Sequence, residues 1–203
     1  MFTVFILVFM VLSEMLISQP LKETALVLSE GNDTYLKIGL DRLNQEKKAM
    51  SILLGWGSLN LVGGSIFALQ KNTRNFGYMM AGWGLVNAGI ATFALLGADS
   101  YSEMTSYQQI LKDEQLFNRI LAVNSGLNVG YVATGFAMNY LGNTSRTRQF
   151  GTAIMIQGAF LMGFDAWLLI NSNARLSDLT LLPVLYSFGD AHSLPGIGMI
   201  LKF

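Results

Sequence analysis

"GWGSLNLVGG", residues 55–64, and "GWGLVNAGIA", residues 82–91, share one pattern: Gly-Trp-Gly, two further residues, then Asn. Each copy lies inside a long apolar run. A tryptophan and an asparagine at a fixed spacing within two hydrophobic segments must answer to what surrounds them. Apolar residues make up 52% of the 203-residue chain and charged residues 13%. Soluble domains carry roughly 25% charged residues, so the deficit points to lipid.

A helix needs about 20 mainly apolar residues to cross a hydrocarbon core of roughly 30 Å. Four segments qualify: residues 50–69, 76–98, 120–141 and 151–170. Helices are expected because lipid offers no hydrogen-bond partner to an open backbone. The fold class is therefore an all-α integral membrane protein, a four-helix transmembrane bundle occupying residues 50–170. Residues 197–203 alternate in the manner of a barrel strand, with Ile197, Met199, Leu201 and Phe203 apolar. A barrel needs at least eight such strands of about ten residues, and the four long runs show no alternation.

Residues 1–18 resemble a secretory signal peptide, with a short apolar run before Ser18-Gln19-Pro20. Retention as an N-terminal anchor is the alternative, because Glu14 interrupts the run and no Lys or Arg precedes it. Residues 19–49 form an outward amphipathic segment, with Leu36, Leu40 and Leu43 near one helical face and Asn32 or Asp33 as N-cap. Tyr107 to Arg119 extends the third span in the same way, through Ile110, Leu111, Phe117 and Ile120. Residues 171–203 form an outward tail, in which 181–188 and 197–203 read as a short β-hairpin or irregular segment.

The loop after the first span carries Lys71 and Arg74, and the loop after the third carries Arg146 and Arg148; neither contains an acid. The positive-inside rule places both in the cytoplasm. The termini then face the periplasm of a bacterial inner membrane. Arg42, Lys47 and Lys48 count against this orientation, and an export signal would override them.

Residues four apart on a helix nearly eclipse. Trp56, Asn60 and Gly64 share a face, as do Trp83, Asn87 and Ala91. The third span offers Asn124 and Asn128 beside Gly126 and Gly130; the fourth offers Gln157, Leu161 and Asp165. Each span thus carries a polar stripe flanked by small residues. An unpaired amide facing lipid costs several kcal/mol, on the order of a lost hydrogen bond in hydrocarbon. The stripes should face one another, with Gly64, Gly126 and Gly130 letting the backbones approach and Trp56 and Trp83 packing in the core. Asn60, Asn87, Asn124, Asn128, Gln157 and Asp165 are either interhelical glue or the lining of a ligand or ion path. Trp167, Tyr78 and Tyr140 read as interfacial anchors. Asp165 is the one carboxylate inside a span, and no span cation stands opposite it. It is expected to be neutral and hydrogen-bonded to an Asn or Gln, as a static bond or as a proton carrier.

Much chemistry lacks its residues. Cysteine is absent, and the single histidine, His192, lies outside every span. Span histidines for haem, a span lysine for a Schiff base, a second acid for an aspartic protease and Glu-His pairs for a di-metal site are all missing. No phosphate-binding glycine loop follows a strand. Net charge is zero, which gives no reason to expect nucleic acid. No cofactor is expected, and few routes to an enzyme remain. The expected partners are the lipid bilayer and a second copy or another membrane protein. The leading expectation is a non-enzymatic scaffold or partner-binding subunit. A small carrier or channel for protons or a polar solute, using Asp165, is the alternative. Lipid or quinone binding between the spans is a third.

"LNQEKKAMSILLGWGSLNLVGG", "NFGYMMAGWGLVNAGIA", "LAVNSGLNVGYVATG" and "IQGAFLMGFDAWL", with the closing segment ending in Phe, together resemble an uncharacterised family of small membrane proteins of Gram-negative bacteria. The resemblance covers residues 43–203. It implies that the Gly-Trp motif with its Asn, the Asn124–Asn128 pattern and the Gln157–Asp165 pattern are family features. It also implies a histidine opening the second span, where this chain has Phe76-Gly77-Tyr78. The family resemblance implies no activity.

Overall fold

The computed structural model describes residues 31–97 and 106–189, with side chains over 34–97 and 106–182. Four helices account for nearly all of them: α1 (Gly31–Leu69), α2 (Arg74–Gly97), α3 (Tyr107–Leu141) and α4 (Ser145–Gly189). All four are long and apolar enough to cross a membrane. They form two antiparallel hairpins, α1 with α2 and α3 with α4, which meet chiefly through α2 and α4. Residues 1–18 and the last part of the expected β-hairpin lie outside the described residues.

The turns are short and locally determined. Thr73 Oγ1 donates to the Phe67 carbonyl at 2.9 Å, closing the α1–α2 turn. Thr144 Oγ1 accepts the Thr147 N–H at 3.1 Å and opens α4. Ser106 caps α3 by accepting the Gln109 N–H at 3.3 Å. Such caps satisfy backbone donors that the helix itself leaves open. Because α1 already begins at Gly31, Asn32 and Asp33 stand inside its first turn and not at a cap position.

Glycines set the first hairpin. Gly57 lies against Gly84, and Gly64 against Gly77, each pair seven residues apart on its helix. A Cβ on Gly57 would stand 2.5 Å from the Ala88 nitrogen, and one on Gly64 would meet the Ala81 nitrogen. The second glycine of each Gly-Trp-Gly motif therefore makes the backbone contact, while Gly55 and Gly82 face open space. In the second hairpin Gly135 and Gly151 do the same, at 2.7 Å from a Gly135 Cβ to the Gly151 carbonyl. Close backbone approach of this sort drives helix association where no hydrophobic effect operates. Gly126 and Gly130 depart from the expectation. Nothing lies within 4 Å of a Cβ at either, so among the described residues they pack against no neighbouring helix. They sit on the face of α3 turned away from α4.

Helix length divides the molecule in two. At about 1.5 Å per residue, the 24 residues of α2 match a bilayer. The 39, 35 and 45 residues of α1, α3 and α4 far exceed one. The excess lies at the end remote from the two turns and forms a three-helix head. Its core is Ile110, Leu179 and Leu182, with Tyr35, Leu36, Ile38, Tyr107 and Leu111 packed around them. The Tyr107 hydroxyl donates to the Leu179 carbonyl at 2.8 Å. A second core, nearer the middle, joins Ala49, Leu53, Ala91, Leu121, Phe164 and Leu168 from all four helices.

Two expectations change in the head. Residues 181–188, expected as a hairpin arm, continue α4 to Gly189. Leu179 and Leu182, three apart, are buried against α3, and that helical period holds the segment. On α1, Leu40 is 59% exposed while Arg42 is 4% exposed. The buried face is turned away from Leu40 because Arg42 has ion partners inside. Trp167, below the head, is half-buried and packs against the second core.

The glycine contacts make a direct prediction. Gly84→Ala should destabilise the protein by about 1–3 kcal/mol, the usual cost of overpacking. Gly126→Ala should be neutral or stabilise by up to about 1 kcal/mol through helix propensity. Thermal unfolding in mild detergent distinguishes the two.

Candidate functional site: a polar core in layers

Gln157 on α4 is fully buried and sits between the two hairpins. Its Nε2 donates to Asn60 Oδ1 at 2.9 Å and to the Met80 sulfur at 3.5 Å. Its Oε1 accepts from Trp56 Nε1 at 2.9 Å and from Asn87 Nδ2 at 3.4 Å. Two donors and two acceptors are all that a primary amide has. Asn60 Nδ2 turns back to the Trp56 carbonyl at 2.7 Å. The Trp56 ring stacks on Phe160, centroids 4.1 Å apart. Trp83 is buried edge-to-face on Tyr131 at 5.3 Å. The repeated motif thus has a common use: its Gly touches backbone, and its Asn reaches Gln157 one turn further on.

Asn128 does not join this cluster. Its Nδ2 donates to Asp165 Oδ2 at 2.6 Å, within the second hairpin. Both residues are buried. Asp165 lies eight residues beyond Gln157 on α4, about 12 Å along the axis. The polar stripes therefore form two layers and not one. Asn124 stands half-buried one turn from Asn128, outside both.

A third layer, made of charges, lies at the base of the head. Glu114, 1% exposed, accepts from Arg175 Nε at 3.0 Å and Nη2 at 2.9 Å. Arg175 also donates to Gln45. Arg42 Nε donates to Glu46 at 3.0 Å and stands 3.9 Å from Glu114. Its guanidinium lies 5.3 Å from the Phe117 ring centroid, a cation–π distance. Asn118 adds bonds to Ser172 at 3.2 Å and Asn173 at 2.8 Å. Asp113, beside this layer and beyond the third span, has its carboxyl pushed above the ordinary range by burial, with Arg42 pulling it partly back.

Sequence reasoning missed this layer. The Arg42–Glu46 pair follows helical spacing, but the contacts of Glu114 with Arg42 and Arg175 cross between helices, where no spacing rule reaches. Among the described residues, no group of three His, Cys, Asp or Glu stands close enough to hold a metal ion.

The fold and its polar core define a helical bundle of membrane-spanning dimensions whose intraspan amides bind one another. The chain belongs to a family of unknown function (DUF6992), whose profile matches residues 52–166. That range runs from the first glycine motif to just past Asp165. No curated protein and no solved structure matches the chain.

Gln157→Leu should destabilise the bundle by about 1–3 kcal/mol, because it strands the polar groups of Asn60, Asn87 and Trp56. Denaturant titration in detergent measures this. Asp113 adds a pH dependence. Its folded-state pKa lies above its unfolded value, so protonation favours the folded form. Its contribution is full below the ordinary carboxylate range and is lost as pH rises through the raised value. Asp113→Asn should therefore raise stability at neutral pH and leave it nearly unchanged in acid, as melting curves across pH would show.

Proposed function

We propose that this protein is a non-enzymatic membrane scaffold that presents a rigid three-helix head to a partner, either a second copy or another membrane protein. The observation that carries the reading is the saturated amide of Gln157: every hydrogen-bonding site of the residue at the centre of the bundle is taken by the protein itself. A transport path needs polar groups that exchange partners. The head supports the same reading. Leu40 and Leu181 are 59% and 52% exposed on helices that have already passed the length of a bilayer.

The proposed setting is a bacterial inner membrane, with the head and both termini on the periplasmic side and residues 1–18 as an export signal. Lys71, Arg74, Arg146 and Arg148 at the turn end favour that orientation. Arg42, which counts against it by sequence, is buried in ion pairs with Glu46 and Glu114. A proton or solute carrier using Asp165 is the second reading, favoured by a buried carboxyl at span depth.

The two readings separate in one pair of variants. Native mass spectrometry of protein gently extracted from its own membrane should show an assembly that Leu40→Glu/Leu181→Glu abolishes. Asp165→Asn should leave assembly intact and leave proton flux in proteoliposomes at the wild-type level. Flux that is present in the wild type and lost in Asp165→Asn would establish the carrier instead.

A further inference from the structure

The sequence holds a second repeat, at the turn end. Thr73-Arg74-Asn75-Phe76-Gly77 opens α2, and Thr147-Arg148-Gln149-Phe150-Gly151 lies at the start of α4. Both glycines make the backbone contacts described above, so the two pentapeptides hold equivalent places in the two hairpins. Gln149 ties the places together. Its Oε1 accepts the N–H groups of Asn75 at 3.1 Å and Phe76 at 3.2 Å. Its Nε2 donates to the Asn72 carbonyl at 2.9 Å and to Ser145 Oγ at 2.9 Å. Arg74 and Arg148 are the chain neighbours of residues in direct contact, and Lys71 and Arg146 flank them.

All four cations are exposed. The Arg146 guanidinium lies 5.4 Å from the centroid of Phe150, a cation–π distance. No acid stands in either turn, and neither α2 nor α4 has one in its first turn. Along the four described helices, the acid nearest this end is Asp165, twenty residues into α4. That is about 30 Å away, against a screening length of about 8 Å at physiological salt. No carboxylate among the described residues offsets the cluster, and because the N-termini of α2 and α4 meet the C-termini of α1 and α3 at this end, the helix dipoles largely cancel and the side-chain cations set its charge.

We propose that this end of the bundle binds the phosphate groups of anionic phospholipids in the leaflet that it abuts, with Arg74 and Arg148 as the principal contacts and Lys71 and Arg146 as flanking ones. The inference rests on the membrane reading above. A leaflet supplies what the cluster lacks: a dense layer of phosphates at the depth where the spans end. The arginines suit phosphate because their planar donors engage its oxygens in pairs.

The test uses full-length protein in a mild non-ionic detergent, given phosphatidylglycerol or phosphatidylcholine and examined by native mass spectrometry. The wild type should retain phosphatidylglycerol preferentially. Arg74→Gln/Arg148→Gln should lower that retention roughly tenfold or more, while Lys48→Gln/Arg119→Gln, exposed cations at the other end, should leave it unchanged. Equal retention in the two double variants would overturn the proposal. Displacement of the lipid by inorganic phosphate would also overturn it, in favour of a soluble phosphate compound. Failure of the wild type to float with liposomes would instead defeat the membrane reading, and is seen independently of lipid retention.

Discussion

A primary amide surrounded by hydrocarbon must find its partners within the protein, and the structure depends on how Gln157 meets that demand. Its four hydrogen bonds reach Trp56 and Asn60 on α1 and Met80 and Asn87 on α2. One side chain of the second hairpin thereby fixes the first in depth and rotation. Apolar packing alone would do this poorly in a membrane, since lipid tails are as apolar as leucine. The glycine contacts are the precondition. Without Gly57 on Gly84 and Gly64 on Gly77, α1 and α2 would stand too far apart for both asparagines to reach a single amide.

α4 acts as the spine of the molecule. It contributes Gln157 to the first polar layer, Asp165 to the second and Ser172 and Arg175 to the third. The layers change character along the axis. Neutral amides serve in the centre of the bundle, where a charge would be most costly to desolvate. Among the described residues, full ion pairs appear only toward the head, where α1, α3 and α4 run on beyond the end of α2. There a buried carboxylate between two guanidiniums fixes the relative positions of three helices. Removing either partner of such a group leaves a buried charge uncompensated and is strongly destabilising.

Much of this was legible in the sequence. The turn ends of the four helices were, because apolar runs stop where Lys71, Arg74, Arg146 and Arg148 begin. So was the special status of Asn60, Asn87, Gln157 and Asp165, since polar residues in apolar runs carry a cost that only a partner offsets. The grouping was not legible. Spacing along one helix gives a face, whereas the division into a Gln157 cluster and an Asn128–Asp165 pair depends on how far α3 and α4 are offset. The same limit explains Leu40 and Arg42. Periodicity assigned the buried face by hydropathy, and the structure buries the arginine because Glu114 waits on another helix. Gly126 and Gly130 have the composition of a packing surface, yet whether a glycine is used depends on what stands opposite it. The Thr-Arg-Asn/Gln-Phe-Gly repeat stands plainly in the sequence, but only the fold brings its two copies together through Gln149.

The central claim is that the intraspan polar groups form a fixed lock between two hairpins. A double-mutant cycle on Asn60 and Gln157, each replaced by Leu, tests it most directly by unfolding free energies in detergent. A lock predicts that the double variant loses less than the sum of the two single losses, with a coupling of about 0.5–2 kcal/mol. Losses that add to within about 0.3 kcal/mol would mean that the two side chains do not hold one another, and would contradict the account.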